Sequence, residues 1–140
     1  MRMTKDFLYS FISKHKLTVL ATISEDNIPE SALVGFAVTP DLQLIFDTVK
    51  TSRKYKNLLR NPAISFVIGW DNEQTVQYEG EAKIPNDTEL ENLLPYYYKV
   101  YPDGIDRKKN LKDLVYFCVK PNWIRYSNFN FPANIEEITF

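Results

Sequence analysis

Apolar and polar positions alternate along most of this chain with a period of two, and three stretches switch to the helical period. Phe7, Leu8, Phe11 and Ile12 recur at helical spacing, so a helix is predicted over 4–16 with Thr4 as its cap. The β-branched run at 17–24 predicts a strand. Glu25-Asp26-Asn27 is a tight polar turn, so the next strand, about 30–39, returns antiparallel. Pro40 sets φ for a second turn, and 42–47 is a third strand. A short helix follows, capped by Ser52 and closed by Asn61 and Pro62, with Leu58, Leu59 and Tyr55 as its buried stripe.

Beyond Pro62, 63–70 is a buried strand and Asp71-Asn72-Glu73 a hairpin turn. In 75–84, Val76, Tyr78 and Gly80 share one face and Gln77 and Glu79 the other. Gly80 in mid-strand predicts a bulge or a close backbone approach. Asp87 is placed as the cap of a third helix, with Leu90, Leu93 and Leu94 buried and Pro95 kinking or ending it. The charged segment 105–113 reads as one helical turn or a loop. Strands are expected at 114–120 and 123–127, separated by Pro121, and the tail 128–140 ends in a short strand. Antiparallel hairpins with attached helices predict one α+β, mainly β domain over 1–140, a barrel or sandwich of about six or seven strands.

Composition narrows the function. An apolar content of 44% suits a globular chain, and no apolar run approaches the length of a spanning helix. The N-terminus lacks the apolar core of a signal peptide, so the cytoplasm is the expected location. Cys118 is the only cysteine and His15 the only histidine, which argues against a cysteine or histidine metal site and against Ser–His–Asp catalysis. Cys118 reads as a buried, inert thiol, and His15 is expected at a helix C-terminus. A net charge of −1 argues against general nucleic-acid binding. Aromatics make up 14% of the chain, a surplus that a subunit interface or a planar ligand would use. Tyr96, Tyr97, Tyr98 and Tyr101 read as core, interface or the wall of a substrate pocket.

The helix after Ser52 carries the sharpest chemical signal. Arg53 and Lys54 open it, although cations in a first turn oppose the helix dipole. A bound anion removes that conflict, because free N–H groups, a hydroxyl and two cations together form a phosphate cradle. The same residues also read as a capped surface helix with solvated charges.

Val19-Leu-Ala-Thr-Ile, Pro29, Phe46-Asp-Thr, Ser52-Arg-Lys, Asn57-Leu-Leu-Arg-Asn-Pro62, Ala63-Ile-Ser-Phe, Gln77-Tyr-Glu-Gly80-Glu-Ala and Pro121-Asn-Trp-Ile-Arg125 occur in this order. In order and spacing the chain resembles the pyridoxamine 5'-phosphate oxidase-like family of FMN-binding split barrels. The resemblance implies a six-stranded antiparallel Greek-key split β-barrel with flanking helices, and a homodimer with two flavin sites at its interface. It assigns the flavin phosphate to Ser52, Arg53 and Lys54, and brings Thr48 to the cofactor. It lays the second-strand segment with Ser31, Leu33 and Val34 along the flavin. Thr75 and Gln77 fall near positions that meet the ring or the phosphate. Trp123 and Arg125 fall where relatives approach the flavin or close the dimer, and they read equally as a packed tryptophan with an arginine beside it.

Two departures matter. The oxidase's second-strand arginine would fall near Ala32, where no basic residue stands, and its C-terminal Arg–His pair is missing from Tyr126-Ser-Asn-Phe-Asn-Phe. The expected activity is therefore that of an FMN-dependent oxidoreductase with an unidentified substrate other than vitamin B6. The alternatives are a flavin-binding dimer without turnover, in a stress response, and a scaffold for another cofactor such as heme or F420.

Overall fold

The computed structural model describes residues 3–140. Its elements are α1 (Lys5–Ser13), β1 (Leu17–Ile23), β2 (Pro29–Gly35), β3 (Ala37–Val38), β4 (Leu44–Val49), α2 (Arg53–Arg60), β5 (Ala63–Ile68), β6 (Gln74–Lys83), α3 (Asp87–Val100), α4 (Gly104–Asn110), β7 (Leu114–Asn128) and β8 (Asn134–Thr139). Every ladder is antiparallel, in the order β2-β1-β5-β6-β7-β4-β3, with β8 beside β7. β2 and β3 lie at opposite ends of that order, yet only Phe36 separates them in the chain. One bent segment therefore joins the two ends and curls the sheet. Among the described residues β2 pairs only with β1, so the barrel stays split between β2 and β4. Counting β2 and β3 as one bent strand, six strands make the split barrel and β8 is added outside.

Alternation fills the barrel. Leu20, Phe36, Leu44, Phe46, Phe66, Tyr78, Phe117 and Ile124 point inward and are buried. α1 covers one end, where Phe7 and Phe11 meet Tyr126 edge-on at 4.9 and 5.4 Å. The Tyr78 hydroxyl donates to the Leu42 and Val119 carbonyls at 2.7 and 3.1 Å, tying the turn before β4 to β7.

Several boundaries differ from expectation for local reasons. Leu42 belongs to the turn: it takes φ 69° and its N–H donates to Thr39, so β4 begins at Leu44. The two strands expected around Pro121 are one, β7, which bends there. Pro121 faces Gly80 where the β6–β7 register shifts, so the bulge absorbs the donor proline lacks. Asn86, not Asp87, caps α3: its side chain accepts from Glu89 N at 2.9 Å, and the Glu89 carboxylate accepts from Asn86 N at 3.0 Å. Pro95 does not end α3, because it and Glu91 are exposed and water can serve the freed Glu91 carbonyl. Leu59 faces solvent, and Asn57 shares the buried side of α2 with Leu58. The charged segment after Pro102 forms α4, anchored by Arg107, whose Nε lies 3.3 Å from the Asp47 carboxylate. His15 follows the C-cap of α1, its ring 5.1 Å from that of Phe11.

Candidate cofactor site

Ser52 takes extended dihedrals, φ −76° and ψ 153°, and its hydroxyl accepts from Tyr55 N at 3.3 Å, as a cap should. The Thr48 hydroxyl, at the end of β4, donates to Ser52 Oγ at 2.9 Å. A strand end and a helix start thus set two hydroxyls side by side at the N-terminus of α2. That first turn contains no acidic residue.

The two cations differ. Arg53 reaches Glu30 of β2 at 3.1 Å, but its side chain is 70% exposed against 19% for Glu30. Asn57 fixes the carboxylate from below, donating to Glu30 Oε1 at 2.8 Å and to Thr22 Oγ1 at 3.0 Å. Lys54 is half-buried, and among the described residues it pairs with no carboxylate. Burial, and then the neighbouring Arg53, push its ammonium below the usual lysine range. It is a cation held in an unfavourable place.

A pocket of about 70 Å³ opens here, lined by Leu20, Thr22, Glu30, Ser31, Ala32, Arg53 and Lys54. That volume suits a few waters or a small anion and is well below the roughly 300 Å³ of an ordinary small-molecule pocket. Ala32 lines the pocket, so no second-strand cation adds to Arg53 and Lys54.

The remaining candidates mostly lie on the outer face of the sheet. Leu33, Val19, Val67, Gln77, Arg125 and Glu137 are in register across six strands. Ser31, Ala21, Ser65, Glu79, Trp123 and Thr139 form the adjacent row. The end of this face on β2, β1 and β5 is apolar and bare, with Leu33 60% and Val67 41% exposed. On β7 the Arg125 guanidinium is engaged: it donates to Glu137 from Nε at 3.0 Å and Nη2 at 2.8 Å, and its Cζ lies 5.2 Å from the Trp123 ring centre. The arginine thus stacks on the tryptophan while pairing with β8. Thr75 continues the same face of β6, and its buried hydroxyl has no hydrogen-bond partner.

Ser31 thus connects the two groups, with Thr48, Ser52, Arg53 and Lys54 on one side of it and Leu33, Gln77, Trp123 and Arg125 on the other. Val34 does not join either, since strand alternation turns its side chain into the core. Sequence reasoning missed the polar set Glu30, Asn57 and Thr22 beneath the cradle. Its signal was Asn57 itself, a weak helix former inside a short helix. The tyrosine cluster divides: Tyr97 is core, and its hydroxyl accepts from Arg107 Nη2 at 3.3 Å, whereas Tyr96 is exposed and lines a pocket beside α1. Cys118 is buried, and burial pushes its thiol up.

The model of the pyridoxamine 5'-phosphate oxidase family matches residues 4–128. The chain belongs to the pyridoxamine 5'-phosphate oxidase family. No curated protein sequence matches it. Among solved structures it resembles the general stress protein 26 of Bacillus anthracis str. Sterne, with TM-score 0.74, 24% identity, and coverage of 97% of this chain and 98% of that one. It also resembles a heme binding protein from Mycobacterium smegmatis, at TM-score 0.80 and 15% identity over 99% of this chain. The chain spans only 59% of that protein's length. HutZ, the heme storage protein of Vibrio cholerae, superposes at TM-score 0.71 and 20% identity, over 86% of this chain and 91% of that one. At these identities the likeness is one of fold, the oxidase family's split barrel. Among the described residues no helix is long and apolar enough to cross a membrane.

Proposed function

We propose that this member of the oxidase family is an FMN-binding homodimer that passes electrons between its flavin and a small donor or acceptor. The observation that carries this reading is Lys54, a half-buried cation with no carboxylate partner among the described residues, two residues past the Ser52 cap, at a small pocket. Lys54, the first-turn N–H groups and Ser52 hold the phosphate, and Arg53 contributes from the rim while Glu30 and Asn57 keep it in place. When bound, FMN supplies hydride or single-electron transfer at its ring. The pocket is far smaller than an ordinary small-molecule site, so the ring would rest past Ser31, against the apolar end of the outer face. Leu33, Val19 and Val67 offer it a hydrophobic floor, and a second copy of the chain closes over it and excludes water. No general acid or base is named, because electron transfer at the ring requires none at a fixed place.

Two relatives in fold are heme proteins by name, which motivates a heme reading. Against it stands His15, the only histidine, which lines a separate pocket with Tyr9, Lys16 and Tyr96. Likeness to a general stress protein motivates flavin binding without turnover. The visible spectrum of the purified protein, with the mass of any released ligand, tests all three. Flavin bands and the mass of FMN support the proposal, and a Soret band overturns it in favour of heme. NAD(P)H oxidation with offered acceptors then separates turnover from storage. Sedimentation of Leu33→Asp should give a monomer that has lost flavin, and a flavin-loaded monomer would refute the shared site.

A further inference from the structure

We propose that the cleft between α2, α3, α4 and the start of β7 is a second ligand site, for an organic anion joining an apolar body to a phosphate, sulfonate or carboxylate head. The cleft encloses about 500 Å³, within the ordinary range for a small-molecule site. It shares no lining residue with the pocket at Lys54.

Four lysines stand around it: Lys50 after β4, Lys108 and Lys109 on α4, and Lys112 before β7. Among the described residues none of them pairs with a carboxylate. Lys108 and Lys109 have a local reason for their positions, since cations at the end of α4 suit its dipole. Lys50 and Lys112 have none, being on separate connections that only the fold brings together. Asp87 is the single acid in the lining, and it serves the first turn of α3.

Beneath this rim the wall is apolar. Leu90, Leu114 and Tyr55 line it, and Ile84 and Leu111 add side chains left 47% and 44% exposed. Such residues are costly to leave in water, at about 25 cal/mol per Å². Tyr116 also lines the cleft and is only 6% exposed, its hydroxyl buried beside Tyr98. A purely apolar ligand would leave the lysines unused. A bare inorganic anion would leave the apolar wall wet.

The test uses two dyes of similar shape, the anion 1-anilinonaphthalene-8-sulfonate and neutral N-phenyl-1-naphthylamine, titrated by fluorescence into the whole chain. The sulfonate should bind tighter. Lys50→Ala/Lys108→Ala/Lys112→Ala should weaken it at least tenfold while changing the neutral dye little. Single Lys50→Ala and Lys112→Ala, exposed substitutions that leave the core untouched, should each weaken it several-fold. Lys54→Ala should leave sulfonate binding unchanged, so failure of the flavin reading and failure of this one are distinguishable. Equal binding of the two dyes, unchanged sulfonate affinity in the lysine variants, or a loss in Lys54→Ala as large as in the lysine triple variant would each overturn the second site.

Discussion

Lys54→Ala isolates the central claim about the cradle. A hydrogen bond to a charged group contributes about 1.5–3 kcal/mol. Loss of the ammonium should therefore weaken FMN roughly ten- to a hundredfold, at 1.4 kcal/mol for each factor of ten. Riboflavin carries the same ring without the phosphate, so its weaker binding should hardly change. Arg53→Ala should cost FMN less, because the guanidinium is 70% exposed and already engaged by Glu30, and exposed pairs contribute about 0–1 kcal/mol. The apo protein should tolerate Lys54→Ala without loss, or gain slightly, since a half-buried cation at a helix N-terminus is locally unfavourable. Ser52→Ala should differ in kind: it removes the cap, at about 1 kcal/mol, and the acceptor of the Thr48 hydroxyl, so it lowers both the apo melting temperature and FMN affinity. The assay is titration of FMN and riboflavin into the three apo variants, with a melt of each. If Lys54→Ala weakens both ligands equally, or neither, the phosphate lies elsewhere and the reasoning fails.

Other predictions follow from the barrel itself. Tyr78→Phe removes the hydroxyl shared by the Leu42 and Val119 carbonyls and should cost about 1 kcal/mol in a denaturant melt. Burial raises the Tyr78 phenol far above its ordinary value, so its stabilisation is full below about pH 10 and is lost as pH rises beyond it. The alkaline decline in stability should therefore be shallower in Tyr78→Phe than in the wild type. Gly80→Ala places a Cβ against the Lys120 carbonyl at the bulge and should cost about 1–3 kcal/mol, read as a lowered melting temperature. Cys118 should react with a thiol reagent only on unfolding, and Cys118→Ala should leave flavin binding intact; fast labelling of the native protein would contradict its burial.

Local rules carried much of the element pattern. Period-two alternation and polar turns located the barrel strands, and Ser52 marked the start of α2, because capping and alternation are decided by neighbours a few residues apart. Pro121 does not separate two strands and Pro95 does not end its helix, for one reason. A proline removes one donor, and whether that ends an element depends on what lies opposite. Pro121 meets the bulge at Gly80, and Pro95 faces water, so both elements continue.

The sequence by itself determined the helix-start chemistry: a hydroxyl cap followed by two cations and no acid, a local conflict visible without coordinates. Which cation is free was decided only by tertiary structure. Glu30 lies 23 residues from Arg53, and the curl of the sheet brings β2 under α2 so that the carboxylate meets Arg53 and leaves Lys54 alone. Strand register, likewise a long-range property, set Leu33 and Gln77 on the outer face and turned Val34 into the core. The lysines of the second cleft lie on connections whose meeting place no local pattern encodes, since it depends on how α3 and α4 pack beside β7.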